Sequence, residues 1–473
     1  MKWSSVFPLA VIMALAFSSC EKKPADDSPK PPLVETPTPS TAPSPSTEVA
    51  PSPSAEVTPV PSVEVTPSPS VEVTPVPPAE EAPSPPVEVT PSPPVEETPA
   101  AQETAAPPAQ EAAAESPQPT EDPLATRIGF FAPMSGAQAS FGLDAVNGAT
   151  LAIEEINLAG GVLGHPLRLL IKDTESEPDK TSTVVSELIN ADKVAALVGE
   201  IASDRSLVAA SIAQSSGIAM ITPGATNEKV TAEGDYIFRV CYTDAFQAAI
   251  MAQFARSIDV EKAAILFDAS NPYGTGLMEA FKADFIQHGG VIVAEEFYRA
   301  GDTDFSAQLN AIKEKNPDSI FLPSYYTEAA LIIRQARQLG IDAPFLGTDG
   351  WDSGDFLKVG AQAVNNCYFA SHFSSERASD QVKVFSDAYS ARFQSAPPPL
   401  AALAYDSIWL LADALKRSGV TDPAALRDAI AATRDFRGVT GNISFEQGRD
   451  PKKAGIVIRV QDGKFTYLET AEP

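Results

Sequence analysis

From Glu48 onward a glutamate returns every eight residues, at Glu56, Glu64, Glu72, Glu80, Glu88 and Glu96, each followed three positions later by proline, Pro51 through Pro99. Of the 44 prolines in the 473-residue chain, 29 lie between Glu21 and Pro123. Helix and central strand are excluded at that density, because each ring fixes φ and removes an amide donor. The valines beside the glutamates are too few to bury a face, and eight residues is far shorter than the period of stacking repeats. The expectation for residues 20–124 is a disordered, polyproline-like spacer held open by glutamate repulsion. At about 3.1 Å per residue, ~100 residues reach roughly 300 Å at full extension. Roughly 350 residues remain to fold, enough for two domains of ordinary size.

Ahead of the spacer, Lys2 precedes an apolar run from Val6 to Phe17, and Ser18 and Ser19 lead into Cys20. That layout is a signal peptide, residues 1–19, and is too short to remain as a spanning helix. Small residues before a cysteine resemble the bacterial lipobox, which implies that Cys20 is lipidated and anchors the chain to a membrane. The folded part is then expected on the periplasmic or cell-surface face of a bacterial membrane. Two further cysteines, Cys241 and Cys367, lie in exported sequence, where a disulfide or two buried thiols are both open readings.

The formal charge is −28, and no region is basic. A nucleic-acid partner needs a cationic footprint, so none is expected.

Beyond Thr126 short apolar runs alternate with amphipathic stretches. Ile128 to Phe131, Ala195 to Val198, Ala219 to Ile221, Ala263 to Phe267 and Ile320 to Leu322 read as strands. Asp144 to Leu158, Lys180 to Ile189, Gly276 to Gln287 and Thr327 to Leu339 read as helices. Continuous apolar strands separated by helices imply parallel sheets covered on both faces. The alternation occurs twice, before and after about Asp244, predicting an α/β protein of two doubly wound lobes. Ligands of such sheets bind on loops at the carboxyl ends of the strands. Those loops carry Pro133 to Gly136, Gly199 to Ser203, Thr222 to Thr226, Asn271 to Gly274, Ser324 to Tyr326 and Gly347 to Trp351.

Ala132 to Gly136, Asn147-Gly148-Ala149, Asn157 to Gly161, Ile221 to Asn227, Tyr273-Gly274, Asp304-Phe305, Arg334 to Arg337 and the Asp349 loop occur in an order that resembles the leucine/isoleucine/valine-binding protein family. The resemblance runs from Thr126 to Tyr467. It implies a type I periplasmic-binding fold, a multi-strand hinge, and work as a monomeric receptor that hands a small amino acid to the membrane permease of an ABC importer. The lobes are expected at about 125–243 with 373–440, and 244–372 with 441–473. Crossings are expected near Thr243 to Phe246, Ser371 to Phe373 and Val439 to Ile443.

The matching positions imply roles. Ser203, placed by the strand-to-helix pattern at a helix N-terminus, would hold the ligand carboxylate together with Gly224 and Thr226, where an anion is favoured. Asp349, where the family commonly has glutamate, would take the ammonium with Thr226 and Tyr325. Phe141, Tyr273 and Trp351 would line an apolar side-chain pocket. A sensory module of the same fold, or a receptor for amides, urea or aromatic acids, is the alternative. Catalysis is not expected, since His165, His288 and His372 each read as structural or solvent-facing. Neither a zinc pattern nor a phosphate loop is present, so no metal or cofactor is anticipated.

Overall fold

The structure, a computed structural model, describes residues Asp122–Phe445 and Gly448–Pro473. The signal peptide, Cys20 and the Pro-rich spacer up to Glu121 lie outside the described residues.

The first sheet is laid down by β1 (Thr126–Ala132), α1 (Ala139–Leu158), β2 (Leu167–Asp173), α2 (Pro178–Asn190), β3 (Ala196–Val198), α3 (Ser203–Ser216), β4 (Met220–Thr222), α4 (Lys229–Ala232) and β5 (Ile237–Arg239). Its strands run parallel in the order β2-β1-β3-β4-β5. Strands β3, β4 and β5 are buried throughout, as continuous apolar runs between two helical layers should be.

The second sheet follows from α5 (Asp244–Ser257), β6 (Lys262–Asp268), α6 (Pro272–Gln287), β7 (Val291–Tyr298), α7 (Ser306–Glu314), β8 (Ser319–Phe321), α8 (Tyr326–Gln338), β9 (Phe345–Gly347), α9 (Gly354–Gly360) and β10 (Cys367–Ser371). Three helices, α10 (Asp380–Phe393), α11 (Pro399–Ser418) and α12 (Pro423–Ala431), return to the first lobe. The chain ends with a hairpin, β11 (Phe436–Gly438) and β12 (Gly441–Ile443), and the strands β13 (Gly455–Gln461) and β14 (Lys464–Ala471).

The strand order of the second sheet is β14-β13-β10-β9-β8-β6-β7. It is mixed rather than parallel, since β13 runs antiparallel to both β10 and β14. A two-residue turn at Asp462-Gly463 joins β13 to β14, and a connection that short can only make an antiparallel pair.

Helix α1, whose buried face includes the small residues Ala145, Gly148, Ala149 and Ala152, packs along α11. A Cβ at Gly148 would strike the Ala401 carbonyl, so glycine sets how closely the two axes approach. Apolar burial at about 25 cal/mol per Å² holds such layers together.

The lobes meet through three crossings. Residues 240–243 follow β5, and the second crossing runs from the last residue of β10, Ser371, to Phe373. The third was expected near Val439 to Ile443 and comes later. Asp450 accepts from Arg239 Nε (2.6 Å) and Thr231 Oγ1 (2.8 Å), both in the first lobe. The β11–β12 hairpin and the segment after it therefore stay with the first lobe, and the chain crosses at about 450–454. Cys241 and Cys367 are buried free thiols, which decides between the two open readings. Burial pushes both thiols up to about 12. Among the described residues no helix is long and apolar enough to cross a membrane.

Candidate functional site

Each wall of the cleft is made by loops at the carboxyl ends of parallel strands, next to the places where strand order reverses, β1/β3 in one sheet and β6/β8 in the other. From the first lobe come Phe141 on α1, Ile201 after β3, Ser203 at the start of α3, Gly224 after β4, and Leu400 in the first turn of α11. From the second come Tyr273 on α6, Tyr325 after β8, and Asp349 with Gly350 after β9. The cavity left between them is only about 20 Å³, about the room one water needs, so the walls are nearly closed on each other.

The first-lobe wall stands on a buried ion pair. Glu200 is fully buried; its Oε1 accepts from Thr174 Oγ1 (2.7 Å) and Arg205 Nε (2.9 Å). Its Oε2 accepts from the amides of Ile201 and Ala202, both at 2.7 Å. All four contacts hold the turn that delivers Ser203 as the first residue of α3. Ser203 Oγ accepts from the Asn227 amide (3.3 Å) and is 1% exposed. A 14-residue helix beginning at this hydroxyl favours negative charge there.

The second-lobe wall centres on Asp349. Its Oδ1 accepts from Tyr273 OH (2.7 Å), and its Oδ2 lies 2.9 Å from His372 Nε2. Tyr273 is placed by the N-terminus of α6, where Asn271 caps its amide (2.9 Å) and Pro272 opens the first turn. The Gly350 amide donates to Tyr273 OH (2.9 Å); a Cβ at Gly350 would lie 2.8 Å from that oxygen, so only glycine leaves the phenol its place. Burial, with Asp349 nearby, raises the Tyr273 hydroxyl well above its ordinary value, so it remains a donor. Tyr325 stacks on Tyr273 (4.8 Å between ring centroids, 8° between planes), and burial raises its hydroxyl likewise.

The two walls are connected. Asn227 Nδ2 donates to Asp244 Oδ2 (3.1 Å), Gln247 Nε2 donates to Asp244 Oδ1 (3.3 Å), and the Asp349 amide donates to Gln247 Oε1 (3.3 Å). With Asn227 on Ser203, this line joins the hydroxyl of one wall to the carboxylate of the other. Burial, aided by Glu228, pushes Asp244 up to about 8. The lobes also touch through Ser140 and Ser353 (Oγ to Oγ, 3.0 Å), Tyr326 OH donating to Ala137 O (3.1 Å), and Phe141 edge-on to Tyr326 (4.8 Å).

Six of the eight expected contact residues share this cleft: Phe141, Ser203, Gly224, Tyr273, Tyr325 and Asp349. Thr226 stands behind Gly224, fully buried, rather than in the lining. The hydroxyls of Thr226 and Tyr325 have no well-formed hydrogen bond among the described residues, and buried groups in that condition are costly unless a further partner arrives. Trp351 corrects the expectation for it: the indole is fully buried in the second lobe, stacked on Phe356 (5.0 Å) and packed near Phe369 (6.2 Å). Position i+2 on a one-turn 3₁₀ segment points away from the face that Asp349 shows the cleft.

Sequence reasoning missed Ile201, Leu400, Glu200, Arg205 and His372. Leu400 follows three prolines and carries no mark of a binding residue. His372 read as structural or solvent-facing, and it is buried against Asp349. Neither cysteine nor any group of three metal-ligating side chains gathers at the cleft among the described residues. The lining holds one carboxylate and no lysine or arginine. Such a set binds; it has no nucleophile with an adjacent base.

Residues 125–464 match the family described as periplasmic binding protein. A Leu/Ile/Val-binding protein homolog 1 from Brucella suis is 30% identical over 351 residues, covering 72% of this chain and 93% of that protein. The branched-chain amino acid transporter substrate binding protein LivJ from Streptococcus pneumoniae, solved in complex with isoleucine, aligns with TM-score 0.70 and 36% identity, covering 74% of this chain and all of that one (100%). A solute binding protein of an ABC transporter from Rhodopseudomonas palustris, in complex with 3,4-dihydroxybenzoic acid, aligns with TM-score 0.67 and 27% identity, covering 74% and 97%. Two α/β lobes closing on an apolar cleft with one carboxylate, matched along their whole length, place the chain in the periplasmic binding protein family of the leucine/isoleucine/valine-binding kind, whose members are solute-binding proteins and not enzymes.

Proposed function

We propose that the protein captures a branched-chain or other apolar α-amino acid between its lobes and presents it, closed, to the permease of an ABC importer. The observation that carries the reading is Asp349, an acid held by a phenol and an imidazole, standing across an apolar cleft from Ser203 at the N-terminus of α3. The ligand ammonium would pair with Asp349 and take the free Tyr325 hydroxyl. Its carboxylate would lie at Ser203 and Gly224, with Thr226 close behind. Phe141, Ile201 and Leu400 would enclose the aliphatic side chain. Because both lobes contribute, the ligand gains contacts only in the closed form, which is what shifts the population toward it.

Four or five charge-assisted hydrogen bonds of about 1.5–3 kcal/mol each support micromolar binding, about −8 kcal/mol, after closure and ordering are accounted for. Export past the cytoplasmic membrane, a lipid on Cys20 and a spacer of about 100 residues would hold this monomeric receptor at the membrane while leaving it room to reach a permease.

Isothermal calorimetry with leucine, isoleucine, valine, their des-amino acids, benzoate, urea and an aliphatic amide tests the reading. Saturable binding of the amino acids with none by the des-amino acids is expected. A preference for benzoate or for the amides would overturn the assignment of Asp349 to an ammonium.

A further inference from the structure

The segments that cross between the lobes are tied to each other and to the cleft. Tyr242, in the first crossing, stacks on His372, in the second, with ring centroids 3.7 Å apart and planes at 28°. Lys453, in the third, donates to the Val240 carbonyl of the first (3.1 Å) and to Thr440 Oγ1. His372 is 1% exposed, and its Nε2 lies 2.9 Å from Asp349 Oδ2. The second crossing is therefore in direct contact with the carboxylate that faces the cleft.

Resting on the reading of Asp349 as the partner of a ligand ammonium, we infer that His372 is a positioning residue that fixes this carboxylate to the hinge and, by staying neutral, leaves its charge to the ligand.

His372 Nδ1 has no partner among the described residues, so the proton belongs on Nε2, where it has an acceptor. Burial holds the imidazole below its ordinary value of 6.5, while the bond to Asp349 and its charge pull the other way. The groups around it are Asp349, the stacked Tyr242 and the ammonium of Lys453, whose charge opposes a second cation. Next along the chain Ser371 Oγ donates to Asp352 Oδ2 (2.5 Å). A neutral donor orients Asp349 and keeps its full negative charge. An imidazolium in the same place would pair with that charge and repel the arriving ammonium. Proton and amino acid thus compete, and binding should weaken as pH falls through the imidazole's titration. A histidine that merely filled space would produce no such competition.

The experiment is calorimetric titration of the full chain with isoleucine from pH 8 to pH 5, for wild type, His372→Gln and His372→Phe. The glutamine amide can replace the Nε2–H donor and does not titrate; the phenyl ring keeps the stacking and loses the donor. At pH 7.5 His372→Phe should bind about ten- to hundred-fold more weakly, the loss of one hydrogen bond to a charged group, and His372→Gln should recover most of the affinity. Toward acid the wild type should weaken relative to His372→Gln. Asp144, Asp244, Asp352 and Lys453, all shifted toward this range by desolvation, titrate in all three proteins and cancel in that ratio. Should His372→Phe not fold, the ratio of wild type to His372→Gln against pH decides alone. A constant ratio, in a wild type that binds isoleucine, would overturn the role of His372. A wild type that binds no amino acid at any pH would instead overturn the reading of the cleft on which it depends.

Discussion

The two walls of the cleft are built on different foundations. Ser203 stands on Glu200, whose four partners, Thr174, Arg205 and two backbone amides, all belong to the first lobe. Asp349 is held by Tyr273 within its own lobe, but also by His372 on a crossing segment and by Gln247, which leads through Asp244 to the first lobe. The turn that delivers Ser203 is held wholly within its own lobe. The other wall is wired to the hinge. On the proposed assignment, the anion site at Ser203 would be held ready while the cation site at Asp349 registered closure.

The greatest separation between the walls should appear on removing the foundation of the first. Arg205→Met leaves the Glu200 carboxylate buried without its cation, a condition that typically costs about 3–5 kcal/mol. Urea denaturation should show that loss of stability. Because Tyr273 and His372 remain on Asp349, the second wall should keep its geometry in any Arg205→Met protein that folds. Unchanged stability would mean that the ion pair does not support the turn before α3.

The complementary change is Asp349→Ala, expected to cost about 2–5 kcal/mol of amino-acid affinity by leaving the ammonium unpaired. The melting temperature should move much less than in Arg205→Met, since the lost carboxylate is at a cleft and not beneath one. Calorimetry that finds the same affinity for leucine in wild type and variant would remove Asp349 from the site.

The walls also differ in how much of them the sequence disclosed. Central parallel strands such as β3, β4 and β8 are continuous apolar runs and were readable directly. Edge strands β2 and β7 are half exposed and mixed in pattern, so no run marked them. Helices α1 and α6 begin several residues before their apolar periodicity does, at Ala139 and Pro272, because caps and small residues carry the first turn. The resemblance to a family supplied Ser203, Gly224, Tyr273, Tyr325 and Asp349. It could not supply direction: Trp351, two positions from Asp349, faces the core. It put His372 in the crossing expected at Ser371 to Phe373 but could not set it against Asp349, nor could it supply Leu400, whose place depends on where α11 returns to the first lobe. Such positions arise from three-dimensional closure and leave no spacing to read.

A smaller effect probes the seam between the walls. Asp144 on α1 shares a helix face with Ser140, which touches Ser353 across the cleft. Burial, then the charge of Asp355, pushes Asp144 up to about 7, with Lys358 opposing. Unfolded, this carboxyl titrates near its ordinary 3.8. Between those values the folded protein holds a proton that the unfolded chain lacks, so stability rises as pH is lowered from 8 to 6 and is lost as pH rises through 7. One group shifted this way is worth about 1.4 kcal/mol across that interval. Asp144→Asn should remove that share from the difference in stability between pH 6 and pH 8, measured by urea denaturation at each. An identical difference in both proteins would show that Asp144 is already solvated, and hence that the lobes rest further apart than this structure has them.

The smallest expected effect is at the first-lobe wall. Ser203→Ala removes one hydroxyl that accepts from Asn227 and would donate to the ligand carboxylate. With the amides at the start of α3 left to hold that anion, the loss should fall below the roughly 1.5–3 kcal/mol of a single bond to a charged group, at about 0.5–1.5 kcal/mol in affinity. The turn before α3 is held by Glu200 and not by this hydroxyl, so the helix N-terminus and its field should survive the change. Amino-acid binding should therefore persist, weaker by up to about tenfold. A complete loss would show that Ser203, and not the helix behind it, supplies most of the anion site, and would make the two walls alike in resting on a single side chain.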